Sequence, residues 1–161
     1  PTMNAAAHER LRFETALRTA LEETTLQAAP QFSLHFQPQV DLASGRITGL
    51  EALARWDHPE LGAIPPTIFI QIAEETGLIR PLGDWVFWEA CRKLCDFKAA
   101  GLRNLRVAVN LSTQQLRHEQ LPVVIRGALA CYDLEASELE LEITESTAMQ
   151  TPEATIRILS N

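Results

Sequence analysis

Cysteine is scarce in this chain: Cys91, Cys95 and Cys131 are the only three in 161 residues, an odd and scattered set that builds no disulfide framework. The expectation is a reducing, cytoplasmic setting, with any membrane tether left to a longer parent protein. No run reaches the roughly 18 to 20 apolar residues that a membrane-spanning helix needs, and the N-terminus lacks the charged-then-apolar layout of a secretion signal. The four histidines, His8, His35, His58 and His118, fall in no His-Glu-x-x-His spacing, and neither a Gly-x-Ser-x-Gly elbow nor a glycine-rich phosphate loop is present. Zinc-hydrolase and serine-nucleophile chemistry therefore have no support. Cys91 and Cys95 are four apart on a predicted helix, but without a third soft ligand they read as core residues. Basic residues are also few, 14 against 21 acids for a net charge of −7, and they are scattered, which argues against a DNA or RNA duplex surface. The acidity leaves a small phosphate ligand open, because a bound divalent cation can reverse the electrostatics of a site.

What remains is an ordinary globular composition, 46% hydrophobic and 22% charged. Residues 5–23 are good helix formers, with Phe13, Leu17 and Leu21 at helical spacing. This stripe fits either a helix docked on the domain behind it or a connector from an upstream domain. Then come predicted strands at 32–40 and 47–56, joined by a turn over 41–45 as a hairpin. A Pro-rich turn spans 58–66, and helices are expected over 67–75 and 82–100, the second capped by Gly101. A strand at 105–110 follows, then a helix over 114–131 with Ser112 as N-cap, a strand at 139–144 and a last helix near Pro152. Such alternation implies parallel strands with helical crossovers, in either an open α/β sheet or a (β/α) barrel.

Three places could carry chemistry. Around Leu139, Glu138, Glu140, Glu142 and Thr144 alternate with Leu139, Leu141 and Ile143, so a row of carboxylates shares one face. That face is either a solvated sheet surface or a cation-holding barrel interior. Asn110 ends the run Val107-Ala108-Val109-Asn110, where a strand hands over to a helix, as either a turn residue or a ligand. Glu51 sits inside an apolar strand, where an acid is costly unless paired or coordinating; Arg55, at the same parity, offers an ion pair as the alternative to a ligand role. Carboxylate and amide oxygens together suit Mg²⁺ or Mn²⁺ rather than zinc, which points to phosphoryl chemistry.

Five ordered blocks resemble the EAL domain family: Phe36-Gln37-Pro38-Gln39-Val40, Glu51-Ala52-Leu53-Ala54-Arg55-Trp56, Phe69-Ile70 with Ala73-Glu74, Val109-Asn110-Leu111-Ser112, and residues 139–146. The resemblance implies a (β/α)8 TIM-type barrel with an antiparallel first strand. It also implies hydrolysis of cyclic di-GMP to 5′-pGpG with Mg²⁺ or Mn²⁺. It makes Glu51, Asn110 and Glu142 metal ligands, Glu51 thereby serving water activation, and gives Glu145 the bracing of an active-site loop. Gln37 and Arg55 would contact the dinucleotide's backbone and phosphate, and Leu53 would lie beside a guanine. Residues 1–28 resemble the connector that follows an upstream GGDEF or sensory domain, and 29–161 the N-terminal part of the EAL domain.

Such a barrel needs about 250 residues, so this reading has the chain truncated after about half of it. The family's Asp-Asp pair, its lysine and its later acids have no counterpart here. Three expectations follow. The isolated chain is inactive although its parent is a phosphodiesterase; its open sheet edges favour a homodimer or other self-association; and the alternative functions are a non-catalytic cyclic di-GMP receptor and a dimerisation module.

Overall fold

Proline and glycine set most of the element boundaries in the computed structural model, which describes residues 3–25 and 31–143. The expected helix near Pro152 and the side chain of Glu145 lie outside the described residues. In chain order the elements are α1 (Met3–Thr25), β1 (Phe32–Val40), β2 (Ile47–His58), β3 (Gly62–Ile64), α2 (Pro66–Thr76), α3 (Ile79–Ala99), β4 (Arg106–Leu111), α4 (Thr113–Leu116), α5 (Leu121–Cys131) and β5 (Leu139–Ile143). One 3-10 turn, Ala136–Glu138, leads into β5. The sheet has the order β1-β2-β4-β5, with β3 paired to β2 outside that path. β2 runs parallel to β4, and β4 parallel to β5. The turn over residues 41–46 is closed by Asp41 N–H donating to the Arg46 carbonyl at 2.9 Å. A connection that short can join only antiparallel strands, so β1 runs against β2, β4 and β5. This mixed sheet with helical crossovers is the first part of a (β/α) barrel, as the resemblance implied.

The chain forms two compact units, residues 1–33 with 54–82, and residues 34–53 with 83–161. In the first, α1 packs against α2 and buries Leu17, Ala20 and Leu21, and Arg10 forms an ion pair with Glu75. Phe32, Trp56 and Phe69 make an aromatic triangle with centroids 5.6 to 6.1 Å apart, in the offset and edge-on arrangements that ring quadrupoles favour. α2 starts at Pro66, whose fixed φ suits a first helical turn, and ends at Gly77 with φ 77°. The expected Pro-rich turn at 58–66 is instead the tip of a hairpin. β2 continues to His58 and pairs Trp56 with Ile64 across the tip. Gly62, at φ 70°, supplies the reversal, and His58 Nδ1 accepts from the N–H groups of Glu60 and Leu61.

In the second unit, Val107, Val109 and Leu111 of β4 are buried together with Phe87, Cys91 and Leu94 of α3 and Leu121, Ala128 and Leu129 of α5. Burial pushes the Cys91 thiol up to about 11, so it serves as a small apolar filler. Gly101 has φ 93° and donates its N–H to the Lys98 carbonyl, closing α3 as expected. Ser112 caps the next helix in a full capping box with Gln115. The single helix expected over 114–131 is two helices, α4 and α5. Pro122 has no N–H to give to an earlier turn, so the chain breaks at 117–120 and restarts with the proline in the first turn of α5.

Candidate metal and phosphodiester site

β2, β4 and β5 carry the candidate residues on matched positions. Parallel pairing sets Glu51 against Ala108, and Asn110 against Glu142. Directly paired residues on neighbouring strands point to the same side of a sheet, about 4.8 Å apart along the hydrogen-bonding direction. Asn110 and Glu142 are thus neighbours on one face, and Asn110 Nδ2 donates to Glu51 Oε1 at 2.8 Å. Glu51 and Glu142 are half-buried, and Asn110 is exposed. An amide oriented this way spends its N–H on one carboxylate and keeps its carbonyl oxygen as an acceptor.

The glutamate row divides by partner. Glu138 accepts both contacts of Lys98 Nζ, at 2.7 and 3.0 Å. Burial raises the Glu138 pKa, but the Lys98 hydrogen bond, the Glu135 backbone N–H and the Lys98 charge together hold it below the usual carboxylate value. Glu138 lies in the 3-10 turn that leads into β5, and β5 begins at Leu139 as expected. Glu140 Oε2 is 3.4 Å from Arg106 Nη1 and buried, close enough for charge pairing but without hydrogen-bond geometry. Glu142 Oε1 accepts from Gln39 Nε2 at 3.0 Å. Glu138 and Glu140 therefore face cations, whereas the hydrogen-bond donors to Glu51 and Glu142 are neutral amides. Two carboxylates held by neutral donors on one face concentrate negative charge that a cation could offset.

Gln37 is exposed on β1, and Leu53 is half-buried two residues after Glu51 and on the same side of β2. Arg55 belongs to the other compact unit, where its Nη1 donates to the Ala54 carbonyl at 2.9 Å. Sequence reasoning passed over Gln39, which stood in a quoted motif without a role. Two signals could have found it: the parity it shares with Gln37, and a glycine, Gly49, inside the next strand, a mark of close approach by another group.

The donor set fits a hard divalent cation in kind: two carboxylates and an amide carbonyl, all oxygen. Among the described residues no three His, Cys, Asp or Glu side chains gather at metal-binding range.

The EAL domain family model matches residues 14–161. This chain belongs to the EAL domain family. It is 44% identical over 158 residues to the bifunctional diguanylate cyclase/cyclic di-GMP phosphodiesterase MucR of Pseudomonas aeruginosa, covering 98% of this chain and 22% of that protein. To the cyclic di-GMP phosphodiesterase PdeR of Escherichia coli it is 38% identical, with 99% of this chain and 23% of the relative covered. The solved complex of the MucR phosphodiesterase with c-di-GMP superposes with a TM-score of 0.84 at 43% identity, over 92% of this chain and 58% of that one. The Xanthomonas citri FimX EAL domain in complex with c-di-GMP gives a TM-score of 0.82 at 25% identity, over 98% of this chain and 58% of that one. The chain thus spans about a fifth of the length of these curated relatives. Among the described residues no helix is long and apolar enough to cross a membrane.

Proposed function

We propose that this chain supplies the first part of the catalytic site of a phosphodiesterase that hydrolyses cyclic di-GMP to 5′-pGpG. The observation that carries this reading is the Glu51–Asn110–Glu142 arrangement, acids held by neutral amides on one sheet face, in a chain 43% identical to a phosphodiesterase solved with c-di-GMP. Glu51, Asn110 and Glu142 would hold Mg²⁺ or Mn²⁺, and such a cation lowers the pKa of a bound water and offsets charge on the phosphoryl oxygens. The chemistry asked of the site is attack of water on phosphorus, cleavage of the bond from phosphorus to the 3′ oxygen, and transfer of a proton to that oxygen. Gln37 and Arg55 are assigned to the dinucleotide's backbone and phosphate, Leu53 to a guanine edge, and Glu145 to the bracing of a loop at the active-site mouth. Residues 1–28 are assigned to a connector from an upstream signalling domain, the remainder to the EAL domain, and the setting to the cytoplasm.

A second reading is a degenerate EAL domain that binds cyclic di-GMP as a receptor without turnover, in keeping with the likeness to the FimX EAL domain solved in complex with c-di-GMP. Incubation of the chain with cyclic di-GMP and Mn²⁺, with 5′-pGpG followed by chromatography, tests both. The expected result is no turnover by the chain alone. Turnover abolished by Glu51→Ala would mean that the described half-site is catalytically sufficient, against this reading.

A further inference from the structure

Gly49 lies in the interior of β2 with its φ outside the left-handed region, so no turn or backbone constraint calls for glycine there. Its missing side chain makes room for a neighbour. A Cβ at this position would come within 2.5 Å of Gln39 Oε1 and 3.3 Å of the Arg106 carbonyl. The Gln39 side chain thus passes over the backbone of β2, and beyond it Nε2 donates to Glu142 Oε1 on β5 at 3.0 Å. The two residues are separated by 103 positions in sequence, and β2 and β4 lie between their strands in the sheet. A long side chain fixed across two strands loses rotamer entropy, so the contact must return that cost through what it orders.

We propose that Gln39 is a positioning residue for Glu142, with Gly49 as the opening that lets it reach. The inference rests on the metal reading of the preceding section and adds a residue to it. A neutral donor suits this task better than a lysine or arginine. It orients the carboxylate without cancelling the charge that attracts the cation, in contrast to Lys98 on Glu138 and Arg106 on Glu140. Gly49→Ala should then act chiefly through Gln39, because the Arg106 carbonyl at 3.3 Å has to give by only a few tenths of an ångström. The new methyl meets the flexible end of a side chain, which can swing away with little cost to the fold, but the amide that swings no longer reaches Glu142.

The test is Mn²⁺ binding by this chain, followed by the electron paramagnetic resonance signal of free Mn²⁺, with circular dichroism to verify folding. The proteins compared are the unmodified chain, Gln39→Ala, Gly49→Ala, the double variant and Glu142→Gln. Loss of an outer donor to a ligand typically weakens metal binding about 10- to 100-fold. Gln39→Ala and Gly49→Ala should each weaken Mn²⁺ binding by about tenfold, and the double variant should be close to Gln39→Ala, because the amide that the methyl would displace is already gone. A merely structural role for Gln39 would not produce this non-additivity. If Glu142→Gln loses Mn²⁺ while Gln39→Ala and Gly49→Ala retain it, or if the two effects add, the positioning role is wrong and the metal reading stands. If Glu142→Gln binds Mn²⁺ like the unmodified chain, or the unmodified chain binds none, the metal reading fails and this proposal with it.

Discussion

Gly83 stands where a second side-chain amide crosses a backbone, and the consequence of filling it differs from that at Gly49. A Cβ on Gly83, in α3, would overlap the Gln115 side-chain amide. Gln115 is 5% exposed and already committed, its Oε1 accepting from Ser112 N–H at 3.0 Å while its own N–H donates to Ser112 Oγ at 3.3 Å. It has nowhere to swing without abandoning the capping box of α4. Alanine in a helix interior is favoured over glycine by about 1 kcal/mol. Overpacking costs about 1–3 kcal/mol, and a lost cap typically costs about 1 kcal/mol more. The costs outweigh the propensity gain, so Gly83→Ala should destabilise the chain by about 1–3 kcal/mol net and lower its urea midpoint. A raised midpoint would mean that helix propensity wins and that the close approach of Gln115 is unimportant. Glycines of this kind are hard to read from sequence, because the group that needs the space comes from another element.

The entry to β5 shows how a single acid can hold an element in register. Glu138 accepts the Glu135 backbone N–H at 2.9 Å, closing the 3-10 turn, and also ties that turn to α3 through Lys98. Its folded-state pKa lies below the ordinary value of 4.5. A depressed carboxylate pKa contributes stability that is present above the unfolded value and lost as pH falls through the folded one. Glu138→Gln should therefore destabilise the chain at pH 7, by about 1 kcal/mol or less because Lys98 is partly exposed, and the difference should be smaller at a pH well below 4.5. Urea titrations at the two pH values check this, and a penalty independent of pH would assign the effect to the turn geometry rather than to charge. The strands and the Ser112 cap were legible because alternation and capping are local signals. The break at 117–120 was hidden in a continuous apolar pattern that Pro122 overrides, and β3 was hidden in a Pro-rich stretch that reads as turn until Gly62 folds it back. For the site, motif order singled out Glu51, Asn110 and Glu142. The Glu51–Asn110 hydrogen bond and the Gln39 contact depend on strand register, which no local pattern encodes.

At the scale of the whole chain, the sheet path ends at β1 on one side and β5 on the other among the described residues. A terminal strand presents unpaired N–H and C=O groups, a template for another strand unless it is covered or charged. On its outer side, Leu139 and Leu141 of β5 join Leu121, Ile125 and Leu129 of α5 around an apolar groove of about 190 Å³. Arg126 at the groove is the one charged lining residue, which leaves little to repel a partner. Self-association is the expected outcome: light scattering should give a mass above 17.9 kDa that rises with concentration. A lysine on the edge strand is the device natural sheets use against such pairing. Leu141→Lys, verified as folded by circular dichroism, should return the mass to that of one chain. A single-chain mass for the unmodified protein throughout the micromolar range would show that neither the β5 edge nor the groove recruits a second copy, and the net charge of −7 would then be the term that wins.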